Sequence, residues 1–279
     1  MSTRSRTEKH DARRSPTAPQ PVDNTDWLKA GAIFLVGIDH FGYFFLENDL
    51  WWSALGRVAA PPFFFLLGYA RTRTVPLHWI LLGVILTLLE AWNADWAWVT
   101  PNIFFSFALI RAARPHVQSM LQHYGWMAFA IFVAALVGVL PLTANLVDYG
   151  STGWLWALFG LCQRMYVDGA SQRSEFFDRG MLQSAGFMRL LACFVTVGVY
   201  LWQEQSEHSF PEVQLAAVAI GIGALSASLC QFQRGPSPIQ PPEAVAVFLR
   251  FIGRHTLELY AIQLAGSELV IKFVPALAP

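Results

Sequence analysis

The chain has 279 residues, of which 54% carry hydrophobic and only 14% charged side chains, with 22 Phe and 11 Trp. That composition excludes an ordinary soluble domain and makes lipid part of the solvent. The 19 basic and 19 acidic residues cancel, so nothing argues for nucleic acid, whose phosphate backbone demands a concentrated basic surface.

Residues 1–26 are rich in charge, Ser, Thr and Pro and nearly devoid of large apolar side chains. They are expected to form a cytoplasmic tail that is disordered or ordered by a partner. A long polar stretch separates the basic residues from the first apolar run, so the segment lacks the plan of a cleaved signal peptide and the first span is expected to act as an uncleaved anchor. Residues 27–279 are expected to form a single transmembrane helical domain. Apolar runs of about spanning length fall at 27–46, 51–70, 75–92, 98–113, 125–143, 150–167, 186–203, 212–232 and 249–274. The expected fold is all-α, a polytopic transmembrane helix bundle of about nine spans, because backbone groups in a bilayer must find their hydrogen bonds within their own segment. Pro61, Pro62 and Pro101 then mark kinks or span edges.

Charge orients the spans. Lys and Arg gather in the tail and in alternate loops, at Arg71 and Arg73, Arg111 and Arg114, Arg164 to Arg189, and Arg234 to Arg254. The intervening loops "ENDL", "NADWAW", "TANLVDYGST" and "QEQSEHSFPE" hold acids and no Lys or Arg. By the positive-inside rule the N-terminus is cytoplasmic and the C-terminus outside, in a cytoplasmic (inner) membrane. Trp27, Trp51, Trp52, Trp92, Trp96, Trp98 and Trp202 stand at span ends, as an interfacial belt requires. Cys162, Cys193 and Cys230 lie in apolar segments without ligand spacing, so they read as small hydrophobes, and neither a metal nor a disulfide is expected.

Within the first span, "LVGIDHFGYFFL" places Asp39 and His40 in the outer half of the bilayer core. Adjacent helical residues do not face each other, so Asp39 needs a partner on another helix. Arg57, at a matching depth on the returning span, is the expected partner. His40, Tyr43 and Glu47 recur at helical spacing as a polar stripe, with Asn102 near the same level. Each charge in hydrocarbon costs about 2.5–3.5 kcal/mol, and two readings account for that cost. In one, Asp39 and Arg57 fix helix register and His40 is a hydrogen-bonded core residue. In the other, the network holds His40 as a general base or nucleophile.

The runs "DWLKAGAIFLVGIDHFGYFF" and "ALGRVAAPPFFFLLGYARTRT" resemble the opening of the TraX-like family of polytopic membrane proteins, named for a pilin N-acetylating factor. Lys29, Asp39, His40, Gly42, Gly56, Arg57 and Pro61 carry the match. "NIFFSFALI" and "DYGSTGWLWALFGL" resemble the family's middle spans, and "FIGRHTLELYAIQL" a closing segment shared with membrane acyltransferases. The resemblance implies acyl transfer from acetyl-CoA on the cytoplasmic side to an amine or hydroxyl acceptor. His40 is then the catalytic group, Asp39 and Arg57 its supports, and Arg71, Arg73, Arg111 and Arg254 contacts for the CoA phosphates. The sequence departs from the family at Gln263, where relatives commonly carry histidine, and at the alanines of "VAAPPFFF", where a bulky aromatic usually precedes the proline. An accessory subunit of a larger membrane complex is the alternative, contacting other subunits through the tail and outer spans. Glu258, Glu268 and the small residues of "AIGIGALSAS" suit such helix contacts as well as internal packing. A transporter has less behind it, as neither a repeat nor paired helix interruptions are visible.

Overall fold

A computed structural model describes residues 20–46, 49–72, 74–96, 98–143, 146–171 and 179–274; of residues 171 and 179–183 it gives the backbone alone. Most of the expected tail, together with Glu47 and Arg73, lies outside the described residues. The described residues form helices without strands: α1 Asn24–Phe45, α2 Leu50–Gly56, α3 Ala60–Tyr69, α4 Leu77–Asn93, α5 Ile103–Tyr124, α6 Trp126–Gly138, α7 Leu140–Thr143, α8 Gly150–Ser171, α9 Arg179–His208, α10 Glu212–Cys230, α11 Glu243–Arg254 and α12 Thr256–Phe273. Among them, Asn24–Phe45, Leu50–Tyr69, Ser184–His208 and Glu212–Cys230 are long and apolar enough to cross a membrane, and Leu77–Asn93 and Trp126–Gly138 are shorter apolar helices.

The first helix starts three residues before the expected edge at 27, and its cap explains why. Asp23 accepts from the Thr25 N–H, while the Asp26 carboxylate accepts from the Asp23 N–H. This reciprocal arrangement satisfies amide donors that the first turn otherwise leaves free. Val22 is fully buried, and Asp23 pairs with Pro236 in an isolated bridge, so the residues just before α1 are packed against the segment that follows α10.

The second apolar run is one path made of two helices. It breaks after Gly56, and α3 restarts with Pro61 and Pro62 in its first turn, where a missing N–H costs nothing. A carbonyl freed at the break needs a donor, and Tyr200 of α9 supplies its hydroxyl to the Arg57 C=O at 2.6 Å. The run expected at 249–274 also divides, at His255, into α11 and α12. In α11, Ala246, Leu249 and Gly253 are buried while Val247, Phe248 and Phe251 are exposed, so its apolar surface is split between protein and surroundings.

The core lies where α3, α8 and α9 meet, filled by Phe64, Phe65, Trp156, Phe159 and Tyr200. Helix α8 approaches α3 to backbone contact, since a Cβ on Gly160 would stand 2.0 Å from the Phe65 carbonyl oxygen. Only glycine permits that approach.

Candidate functional site

Arg57 is the C-cap of α2, at the break in the second run, and the break turns it toward α1. Its Nη2 donates to both carboxylate oxygens of Asp39, at 2.8 and 3.0 Å, and its Nε donates to the Ser53 carbonyl at 3.2 Å. Glu204 of α9 approaches Nη1 at 3.6 Å and faces His208 at 3.4 Å. One guanidinium thus ties α1, α2 and α9 together. The tie depends on Gly56, because a Cβ there would lie 2.2 Å from Asp39 Oδ1.

His40, the neighbour of Asp39, points elsewhere. Its ring packs against Phe44 and Tyr260 at centroid distances of 6.0 and 5.5 Å, and its buried Nδ1 has no hydrogen-bond partner among the described residues. An orphaned buried nitrogen is costly in a settled core. Among the described residues Nδ1 is thus left able to accept or donate.

Three cavities follow one another along the bundle. At the end where α1 finishes, a chamber of about 590 Å³ is lined by Asp39, His40, Arg57, Glu90, Asp148 and Glu204, with Asp49, Glu207 and Glu268 on its walls. At the end where α1 begins, a cavity of about 430 Å³ is lined by Lys29, Arg111, Arg234, Arg254, His78 and Glu258. Between them lies a space of about 40 Å³ bounded by Val36, Asp39, His40, Gly56, Ala60 and Tyr260. This neck shares Phe63, Phe107 and Leu257 with the basic cavity, and Asp39, His40, Tyr149 and Tyr260 with the acidic chamber. His40 is about 24 Å along α1 from its start at 1.5 Å per residue, so the neck sits nearer the acidic end.

Of the residues expected to contact CoA phosphates, Arg111 and Arg254 line the basic cavity. Arg111 lies over the Trp79 ring at 4.9 Å. Arg71 is exposed and paired instead with Asp168 at 3.0 Å, and Arg73 lies outside the described residues. Lys29 donates to the Gly253 carbonyl at 2.8 Å, which anchors α11 beside the cavity. The sequence does not assign Lys29, His78 or Arg234 to this site; the Lys and Arg sorting that orients the spans is the signal for Arg234, and the family motif is the signal for Lys29. Asn102 is buried, caps α5 by accepting from Phe104 N–H at 3.1 Å, and lines the acidic chamber. Glu258 lies in the basic cavity, while Glu268 lines the chamber and is bonded to Asn93. Gln263 stands beside α1 near Gly37, a turn short of His40, and borders neither the neck nor the chamber.

Glu204, Asp148, Tyr149 and Tyr260 are the site residues that sequence reasoning passed over. In the sequence the acids stand only as marks of topology, and Tyr260 only as part of the closing segment.

No curated protein and no solved structure matches the chain. The family model described as TraX protein matches residues 24–174, more than half of the sequence and the whole of the segment that carries Asp39, His40, Arg57, Arg111 and Asp148. The chain belongs to the TraX family.

Proposed function

We propose that this protein moves an acetyl group from acetyl-CoA at the basic end of the bundle to an amine at the acidic end, with His40 as the base between them. The observation that carries this reading is the position of His40 in the neck, its Nδ1 unpartnered among the described residues, between a cavity lined by cations and one lined by acids. Phosphates are met by fixed cations, and Lys29, Arg111, Arg234 and Arg254 supply them. An ammonium acceptor is drawn to acids, and among the described residues the chamber's acids outnumber its guanidinium, which favours an amine over a neutral hydroxyl.

In the transfer, the amine nitrogen attacks the acetyl carbonyl carbon as His40 accepts its proton. The C–N bond forms, the C–S bond breaks, and that proton leaves with the CoA thiol. Asp39 and Arg57 fix the α1 backbone that carries the imidazole. The basic end is taken as cytoplasmic from the Lys and Arg distribution, in a nine-span bundle of the inner membrane whose C-terminus is outside.

Purified protein in lipid nanodiscs, given radiolabelled acetyl-CoA and a panel of small amines, is expected to label an amine. His40→Ala is expected to abolish labelling while leaving the thermal unfolding midpoint within a few degrees of wild type. Unchanged labelling by His40→Ala contradicts the assignment.

A further inference from the structure

The stretch "DYG" at residues 148–150, which joins α7 to α8, is held more firmly than a connecting loop needs to be. The Asp148 N–H donates to the Pro101 carbonyl at 3.1 Å, and the Asp148 carbonyl accepts from the Ser106 hydroxyl at 2.7 Å. Tyr149 adopts a left-handed backbone at φ +61, and Gly150 follows at φ +32. A bulky residue in that region is strained and persists only where its surroundings impose it. The constraint has a visible result: Asp148 lines the acidic chamber, and Tyr149 lines both the chamber and the neck beside His40.

We propose that Asp148 is the proton acceptor for the incoming substrate, taking one proton from the ammonium form of the acceptor before His40 takes the second. The proposal rests on the acyl-transfer reading. The ammonium nitrogen gives a proton to the Asp148 carboxylate, leaving a neutral amine and a carboxylic acid. The amine lone pair then forms the C–N bond as described, and Asp148 returns its proton to water at the acidic end. An acceptor that stayed ammonium would have no lone pair with which to attack.

The surroundings suit the role. The Ile103 N–H, in the first turn of α5, donates to the carboxylate and holds it in place. Glu90 from α4 and Glu207 from α9 face it as like charges, and the Tyr260 phenol of α12 lies nearby. Burial, reinforced by Glu90, pushes the Asp148 carboxyl up to about 7, so it can both take and release a proton at neutral pH. Across the chamber Glu204, only 3% exposed, is already engaged by Arg57 Nη1 at 3.6 Å and His208 Nδ1 at 3.4 Å, whereas Asp148 faces the acids Glu90 and Glu207.

The test uses the full chain in nanodiscs, with glycinamide as the probe amine, and the variants Asp148→Asn and Asp148→Glu. Wild-type kcat/KM is expected to rise through an apparent pKa near 7. Asp148→Asn is expected to lose at least tenfold at pH 7, to lack that limb and to recover as pH approaches the amine's own ionisation, whereas Asp148→Glu restores a limb. An Asp148→Asn profile parallel to wild type at every pH overturns the proposal. A second measurement needs no turnover: an infrared carboxylic-acid band that titrates near pH 7, is absent in Asp148→Asn, and is altered by glycinamide. A band indifferent to glycinamide overturns the proposal even if transfer occurs. A responsive band in a protein that transfers nothing supports Asp148 as the acceptor and removes the acyl-transfer reading instead.

Discussion

Asp39 and Arg57 answer each other's cost. Each is expensive alone in a low-dielectric bundle, and removing one strands the other. Arg57→Ala is expected to cost about 2–4 kcal/mol of stability, and a double-mutant cycle with Asp39→Asn, read from unfolding in detergent, is expected to show strong coupling; additive losses contradict the pair. Gly56→Ala tests the same geometry without removing any charge. Its methyl enters the space of the Asp39 carboxylate, so activity and unfolding midpoint are expected to fall together. Asp148 gives a prediction of known sign. Its carboxyl is raised to about 7 in the folded chain, so between the ordinary carboxylate range and about 7 the folded protein holds more protons than the unfolded one. The stability contributed by this group is therefore largest at low pH and is lost as pH rises through 7. The unfolding midpoint of Asp148→Asn, relative to wild type, is expected to climb between pH 5 and 8, and a difference independent of pH contradicts the raised carboxyl.

Helix placement was largely legible because length and hydropathy speak directly at this scale. Each apolar run contains helix, though the fourth becomes helical only at Ile103, and Pro61 and Pro62 mark the break in the second. In the run at 249–274 total apolarity hides a change of pattern at His255, so the sequence suggests one element where the structure has two. The α11 segment has a buried face against α1 and an exposed apolar face, a 3.6-residue pattern that does not continue into α12. Similarly, the Asp23 cap lay in sequence that composition marked as tail, although Asp23 and Asp26 at that spacing are a helix-start signal. Packing of α3 on α8 was not legible, since it depends on which glycines face each other. Gly160→Leu is expected to cost about 3 kcal/mol by forcing the helices apart, and a midpoint unchanged from wild type contradicts the contact.

At the scale of the whole molecule, the charged partners Asp39 and Arg57 could be paired from depth alone, because helical rise converts sequence distance into height. The cavities could not. They arise from side chains of α1, α3, α4, α9 and α12 meeting in space, and sequence order carries no information about which acids share a wall. That is why Glu204, Asp148 and Tyr260 emerge only with the structure, and why Arg71, equal in sequence to Arg111 and Arg254, proves to face Asp168. The arrangement of a cationic cavity, a neck at His40 and an acidic chamber makes a two-sided reaction the central claim. Its most direct test is a proteoliposome of uniform orientation, with radiolabelled acetyl-CoA confined to the side of the basic end and glycinamide to the other. The account predicts acetylated glycinamide on the acidic side, abolished by His40→Ala and absent when both reagents are supplied only at the acidic end. Equal transfer with acetyl-CoA supplied only at the acidic end would contradict it.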